Sequence, residues 1–160
     1  MSELYKKGFT QNRELSWLRF NDRVLSEAMD ISVPLLERLK FLSIFTSNLD
    51  EFFMIRVGSL VDMSSVEEKM TDNKSGLTPQ EQLERIFEAV RPLYQKREQV
   101  FFQLEEQLRV HDIYQMEYDE LEQNEKKTVK KYFETSVEPL LSPQIVDAHH
   151  PFPHLANNVI

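Results

Sequence analysis

The sequence predicts an all-α protein built as an antiparallel helical bundle. Three observations carry this. Glycine occurs only at Gly8, Gly58 and Gly76 in 160 residues, too few for the closely spaced turns of an all-β domain. Apolar residues recur every three or four positions over long stretches, the period of an amphipathic helix. The strongest local signal, Thr78-Pro79-Gln80-Glu81, is a helix start. It combines a threonine cap, proline at the first helical position and glutamate three residues after the cap.

The elements follow in order. The first long helix is expected from about Leu15 to Ala28, with Trp17, Phe20, Val24 and Ala28 as its stripe and Leu18 and Leu25 beside it. The stretch DISVP, Asp30 to Pro34, breaks it. Proline suits the first position of a helix, so a second helix should run from Pro34 to Thr46. Leu35, Leu36, Leu39, Phe41, Leu42, Ile44 and Phe45 cover most of its circumference, which predicts a buried helix. Ser47-Asn48-Leu49-Asp50 has the form of a serine cap with an acid three residues later, so a third helix should start there. It would present Leu49, Phe53, Val57, Leu60 and Val61 and fray after Met63. The tight turn would make the second and third helices an antiparallel hairpin.

Residues 71–77 (TDNKSGL) read as a loop. The helix after Thr78 carries Leu83, Phe87, Val90, Tyr94, Phe101, Leu104 and Leu108 in one continuous phase. It should therefore be a single helix, kinked at Pro92, ending near Val110. A further helix is expected over 119–137, lined by Val129, Phe133 and Val137 with Tyr132 adjacent. Pro139, Pro143, Pro151 and Pro153 then forbid more helix. The tail QIVDAHHPFPHLANNVI reads as loop and strand, the opening of a second domain cut short.

Composition narrows the function classes. Apolar residues make up 41%, enough for a core. Twenty-seven acidic against nineteen basic residues give a net charge of −8, which argues against a nucleic-acid-binding domain. The charge is uneven: residues 1–60 are neutral and residues 61–160 hold the excess. Cysteine is absent, which removes disulfides, thiolate metal sites and a thiol nucleophile. No apolar run approaches the ~20 residues of a membrane span, and MSELYKKGFTQNRE has no signal-peptide character. A cytoplasmic protein is expected.

Few residues stand out for chemistry. There is no Gly-rich phosphate loop, HExxH or EF-hand spacing. His149, His150 and His154 cluster, but their irregular, proline-broken spacing reads as a surface turn and not a metal site. Asp50 and Glu51 fit the first turn of a helix, where acids complement the dipole. Trp17, Phe20, Phe45, Phe52 and Phe53 read as core, although they could form a stacking wall. Arg13, Arg19, Arg23, Arg38 and Arg56 could pair with Glu14, Glu37 and Asp50 or face a polyanion. Asn48, at the expected helix start, could cap the helix or offer its amide to a ligand edge.

Two stretches go beyond generic helix: NRELSWLRFNDRVLSEAMD, Asn12 to Asp30, and PLLERLKFLSIFTSNLDEFFMIRVGSL, Pro34 to Leu60. Together they resemble the N-terminal domain of bacterial ATP-dependent polyphosphate kinases. The likeness is dense over residues 10–60 and looser from Thr78 to Val110. The segment DAHHPFPHLAN, Asp147 to Asn157, resembles the start of that family's second, head domain. The resemblance implies a helical domain over residues 1–110 and an incomplete α/β head domain over 111–160. It implies an enzyme that reversibly moves the terminal phosphate of ATP onto polyphosphate through a phosphohistidine, with Mg2+, acting as a homo-oligomer. The asparagine of the SNLDEF motif contacts ATP in that family, and here it is Asn48. The phosphorylated histidine, the magnesium ligands and most phosphate-binding residues would lie beyond this chain, so no catalytic or metal residue is expected within it. The competing expectation is an acidic helical docking module without nucleotide binding.

Overall fold

A computed structural model describes residues 3–65 and 70–155. The described residues form helices joined by turns and loops and contain no strand. The chain divides into two units, Met1–Ile113 and Tyr114–Ile160.

The first unit holds a short α1 (Glu3–Lys6), α2 (Arg13–Glu27), α3 (Leu35–Glu51), a π-helical segment (Phe52–Val57), α4 (Gly58–Ser64) and α5 (Pro79–Arg109). Directions follow from the contacts. Ala28, Asn21 and Glu14 of α2 and its C-cap meet Arg38, Phe45 and Arg56 respectively, so the α3–α4 rod runs antiparallel to α2. Arg38, Thr46 and Phe53 meet Gln107, Arg97 and Phe87, so α5 is antiparallel to the rod. Asn12 meets Gln82 and Asp22 meets Lys96, so α5 runs parallel to α2. The result is a three-rod bundle with its core between the rods.

Helix α2 begins at Asn12, whose Oδ1 accepts from the N–H groups of Glu14 and Leu15. Its buried face is Glu14, Leu18, Asn21, Leu25 and then Ala28, a four–three repeat that faces two neighbours at once. The expected stripe is thus displaced by one residue. Trp17 and Val24 are half-buried and Phe20 is exposed. The reason is that two core positions hold polar side chains, so the apolar residues alone mark the wrong line.

The expected hairpin at Ser47 is overturned. Helix α3 continues through Ser47, Asn48 and Asp50, and Pro34 precedes it as the N-cap. A stop at Thr46 would orphan several carbonyls and several N–H groups in a stretch without glycine or proline, whereas continuing pairs them all. The Ser-x-x-Asp pattern is equally legal inside a helix. Nor is the segment buried all round: Leu42, Phe45 and Leu49 are buried, while Leu36 and Ile44 are exposed.

Along this rod the buried positions are Arg38, Leu42, Phe45, Leu49 and Phe52, then Val57 and Leu60. The step from Phe52 to Val57 is five residues, where an α-helix steps three or four. The π segment supplies it: the Gly58 N–H reaches back to the Phe53 carbonyl, an i→i+5 bond. This is why Phe52 and not Phe53 occupies the core, and why Val61 is exposed.

The loop before α5 closes on itself. The Ser75 N–H and hydroxyl both donate to the Asp72 carboxylate, at 2.7 and 2.6 Å. Gly76 turns the chain at φ +70°, and Leu77 is fully buried. At Thr78 the capping box forms as expected. Helix α5 is a single element through Pro92, but its buried face is Leu83, Ile86, Val90, Val100, Leu104 and Leu108. Phe87 and Tyr94, expected in the core, are exposed. Asp112, with φ +56°, ends the unit.

In the second unit, a 3-10 turn (Tyr118–Glu120) precedes α6 (Gln123–Tyr132), a π segment (Phe133–Val137) and a 3-10 turn (Glu138–Leu140). No described residue from 114 to 155 is buried, Val129 and Phe133 included. Residues 141–155 form no strand, because a strand needs a neighbour to complete its hydrogen bonds.

Candidate functional site

The SNLDEF segment sits where α3 passes into the π segment, facing α2. There a cleft of about 250 Å³ opens, lined by Trp17 and Phe20 from α2 and by Asn48, Glu51, Phe52, Ile55 and Arg56. The Trp17 ring stacks on Phe52 with centroids 4.5 Å apart and planes within 4°. Phe52 is buried and holds that ring from below, while half-buried Trp17 and exposed Phe20 form a wall. Phe45 is pure core, fully buried. The five aromatics are therefore divided between core and wall.

Asn48 is half-buried and lines the cleft. It lies within a continuous helix, so it neither caps a terminus nor sits among orphan N–H groups, contrary to expectation. Its Nδ2 donates to Asn21 Oδ1 at 3.0 Å. Asn21, fully buried, donates from its own Nδ2 to the Phe45 carbonyl at 3.0 Å. Asp50 and Glu51 close α3 and so do not occupy a first turn. Both are exposed.

The arginines divide by role. Arg56 Nη1 lies 3.2 Å from Glu14 Oε2, and Arg13 binds Glu14 Oε1 at 2.9 Å through both Nε and Nη2. Glu14 is thus a buried carboxylate held between two guanidinium groups. Arg56 also borders a second cavity of about 440 Å³ that includes Arg13, Glu14, Met63, Met70 and Asp72 but not Asn48. Arg38, almost completely buried, donates to the Ala28 carbonyl and to Gln107, both at 2.8 Å. It satisfies the end of α2, where a cation complements the helix dipole. Arg19 donates to Gln11, and Arg23 lies over the Phe20 ring. Glu37 pairs with Lys40 instead of an arginine.

The expected pairing of arginines with Glu14 is present, but the burial of Glu14 and the buried polar residues Asn12, Asn21, Ser75 and Gln82 were not anticipated from the sequence. One signal was available. Filling the gap in the 18, 25, 28 spacing and extending it one step back lands on Asn21 and Glu14, two polar residues on a core line. In the second unit, Asp147 Oδ1 accepts from the His149 and His150 N–H groups and lies 2.9 Å from His150 Nδ1. Among the described residues no three His, Asp or Glu side chains are grouped to hold a metal ion. No helix among them is long and apolar enough to cross a membrane.

These features define an all-α bundle module with an amide at the mouth of an aromatic-walled cleft. Residues 10–116 match the family described as polyphosphate kinase N-terminal domain, and residues 124–160 match the polyphosphate kinase middle domain. The chain belongs to the polyphosphate kinase family. It is 46% identical over 156 residues to a polyphosphate kinase of Halalkalibacterium halodurans, covering 97% of this chain and 22% of that protein. Against the polyphosphate kinase of Synechocystis sp. it is 47% identical over 148 residues, 91% of this chain and 20% of the relative. Against that of Bacillus cereus it is 43% identical over 150 residues, 93% and 21%. The chain therefore spans about a fifth of the length of these relatives.

Proposed function

We propose that this chain forms the adenine side of the ATP site in an enzyme that reversibly transfers the terminal phosphoryl group of ATP to the end of a polyphosphate chain, releasing ADP. The observation that carries the reading is Asn48. The motif residue that contacts ATP in the resembling family lies here on a cleft, beside an aromatic wall and a neighbouring guanidinium. Trp17 and Phe20 offer flat apolar surface for a purine, and the Asn48 amide offers a polar edge for it.

The rest of the reaction is assigned to residues outside this chain. Phosphoryl transfer depends on positioning and on neutralising charge with metal ions and basic groups. Arg13 and Arg56 are already engaged by Glu14, and in the second unit eight acidic residues stand against four lysines and no arginine. The reading places the metal, the phosphohistidine and the polyphosphate path elsewhere in the enzyme. The enzyme would act in the cytoplasm as a homo-oligomer. On this reading residues 1–110 are the helical domain and 111–160 begin the head domain.

The test is Asn48→Ala in the whole enzyme. One lost hydrogen bond should raise the KM for ATP roughly tenfold. An unchanged KM and kcat would remove Asn48 from the site.

A further inference from the structure

We infer that Asn21 is a positioning residue that locks the Asn48 amide with its oxygen toward the cleft, so that the cleft selects a purine with an amine at position 6 over one with an oxo group there. The inference rests on the reading that this cleft takes a nucleotide base.

The lock follows from hydrogen-bond chemistry alone. The Phe45 carbonyl can only accept, so the Asn21 atom 3.0 Å from it must be Nδ2. The remaining Asn21 atom is then Oδ1, which can only accept, so Asn48 must present Nδ2 to it at 3.0 Å. That leaves Asn48 Oδ1. It has no partner among the described residues, and no buried side-chain nitrogen or oxygen there goes without one, so this oxygen is open to solvent on a residue that lines the cleft. Rotating the Asn48 amide would set two oxygens against each other with no proton between them. Rotating both amides would set the Asn21 oxygen against the Phe45 carbonyl. Asn21 is fully buried, so water cannot repair either arrangement. The cleft therefore offers an acceptor of fixed orientation. The amine at position 6 of adenine can donate to it. The oxo group of hypoxanthine or guanine cannot, and Asn48 cannot turn to meet it.

The experiment compares kcat/KM for ATP, ITP and purine riboside triphosphate in the whole enzyme, for the native protein, Asn21→Leu and Asn48→Ala. Leucine keeps the branched heavy-atom skeleton of asparagine and removes the lock without adding a charge. In the native enzyme ATP should be favoured over ITP on the order of tenfold, with the unsubstituted purine between them. Use of ITP as efficient as ATP would overturn the inference and needs no variant to fold. In Asn21→Leu the ATP-to-ITP ratio should fall to within about threefold of unity, because the freed amide can turn its oxygen to the amine of adenine or its NH2 to the oxo group of hypoxanthine. A merely structural Asn21 would lower stability and leave that ratio intact, which would overturn the lock. If Asn48→Ala raises the KM for ATP while Asn21→Leu keeps the native ratio, the lock fails and the nucleotide reading stands. If Asn48→Ala changes neither KM nor ratio, the nucleotide reading fails and the inference falls with it.

Discussion

Glu14 shows what a single buried charge demands of its surroundings. Its side chain is only 6% exposed, whereas those of Arg13 and Arg56 are 77% and 38% exposed. The pair is therefore asymmetric. If the carboxylate is removed, both guanidinium groups can turn to water. If Arg56 is removed, the carboxylate stays in place with half its compensation gone. Urea denaturation should accordingly find Arg56→Met costlier, by ~1–2 kcal/mol, than Glu14→Gln, at about 1 kcal/mol or less. The reverse order would mean that Glu14 is hydrated through the neighbouring cavity. Asn21 and Asn48 extend the same logic to neutral amides, where the constraint is orientation and not charge.

At the scale of elements, the entrance to α5 couples a tight loop to a helix cap. Burial works to raise the Asp72 pKa, but the Ser75 hydroxyl and N–H outweigh it and hold the carboxyl below its ordinary 3.8. The Thr78 N–H and hydroxyl hold Glu81 below its ordinary 4.5. Both groups are more acidic folded than unfolded. Their stabilisation is therefore complete above those ordinary values and is lost as pH falls through the folded ones. The Tm should drop as the pH falls below about 4.5, and Asp72→Asn with Glu81→Gln should flatten that slope. At the other end of α5, Asp112 holds a left-handed φ of 56°, and the His111 and Ile113 N–H groups close back onto Leu108. A β-branched residue suffers there, so Asp112→Val should cost ~1–2 kcal/mol in thermal denaturation, whereas Asp112→Gly should be neutral or stabilising. Equal Tm values for the two variants would contradict the strain argument.

Across the whole molecule, the two units differ in how much they bury. The first carries the core: Phe45, Leu25, Ile86 and Leu104 are fully enclosed. The second buries none of its described residues, and Leu140, Ile145 and Phe152 lie open to solvent. The chain covers about a fifth of its relatives and is acidic overall; on the proposed reading it brings walls for a base and little to hold a triphosphate. The purified 160-residue chain should make no polyphosphate from ATP and Mg2+, as followed by ATP consumption and polymer staining. Detectable synthesis would relocate the chemistry into this chain.

Helix content, the capping box at Thr78 and the unbroken α5 were legible in the chain, because propensity, proline placement and a cap act within a few residues. So was the motif that pointed to Asn48. Which residues face the core was not. The π segment spends five residues where an α-helix spends three or four, and the neighbours that stabilise it come from other rods. Glu14 and Asn21 sit on the core line because Arg56, Phe45 and Asn48 meet them across the bundle. Local sequence settled that residues 13–109 are mainly helical and where α5 begins. Packing between distant segments decided which way α3 continues, where the cleft opens and which end of the Asn48 amide looks into it, since a buried polar group is defined by partners far from it in the chain.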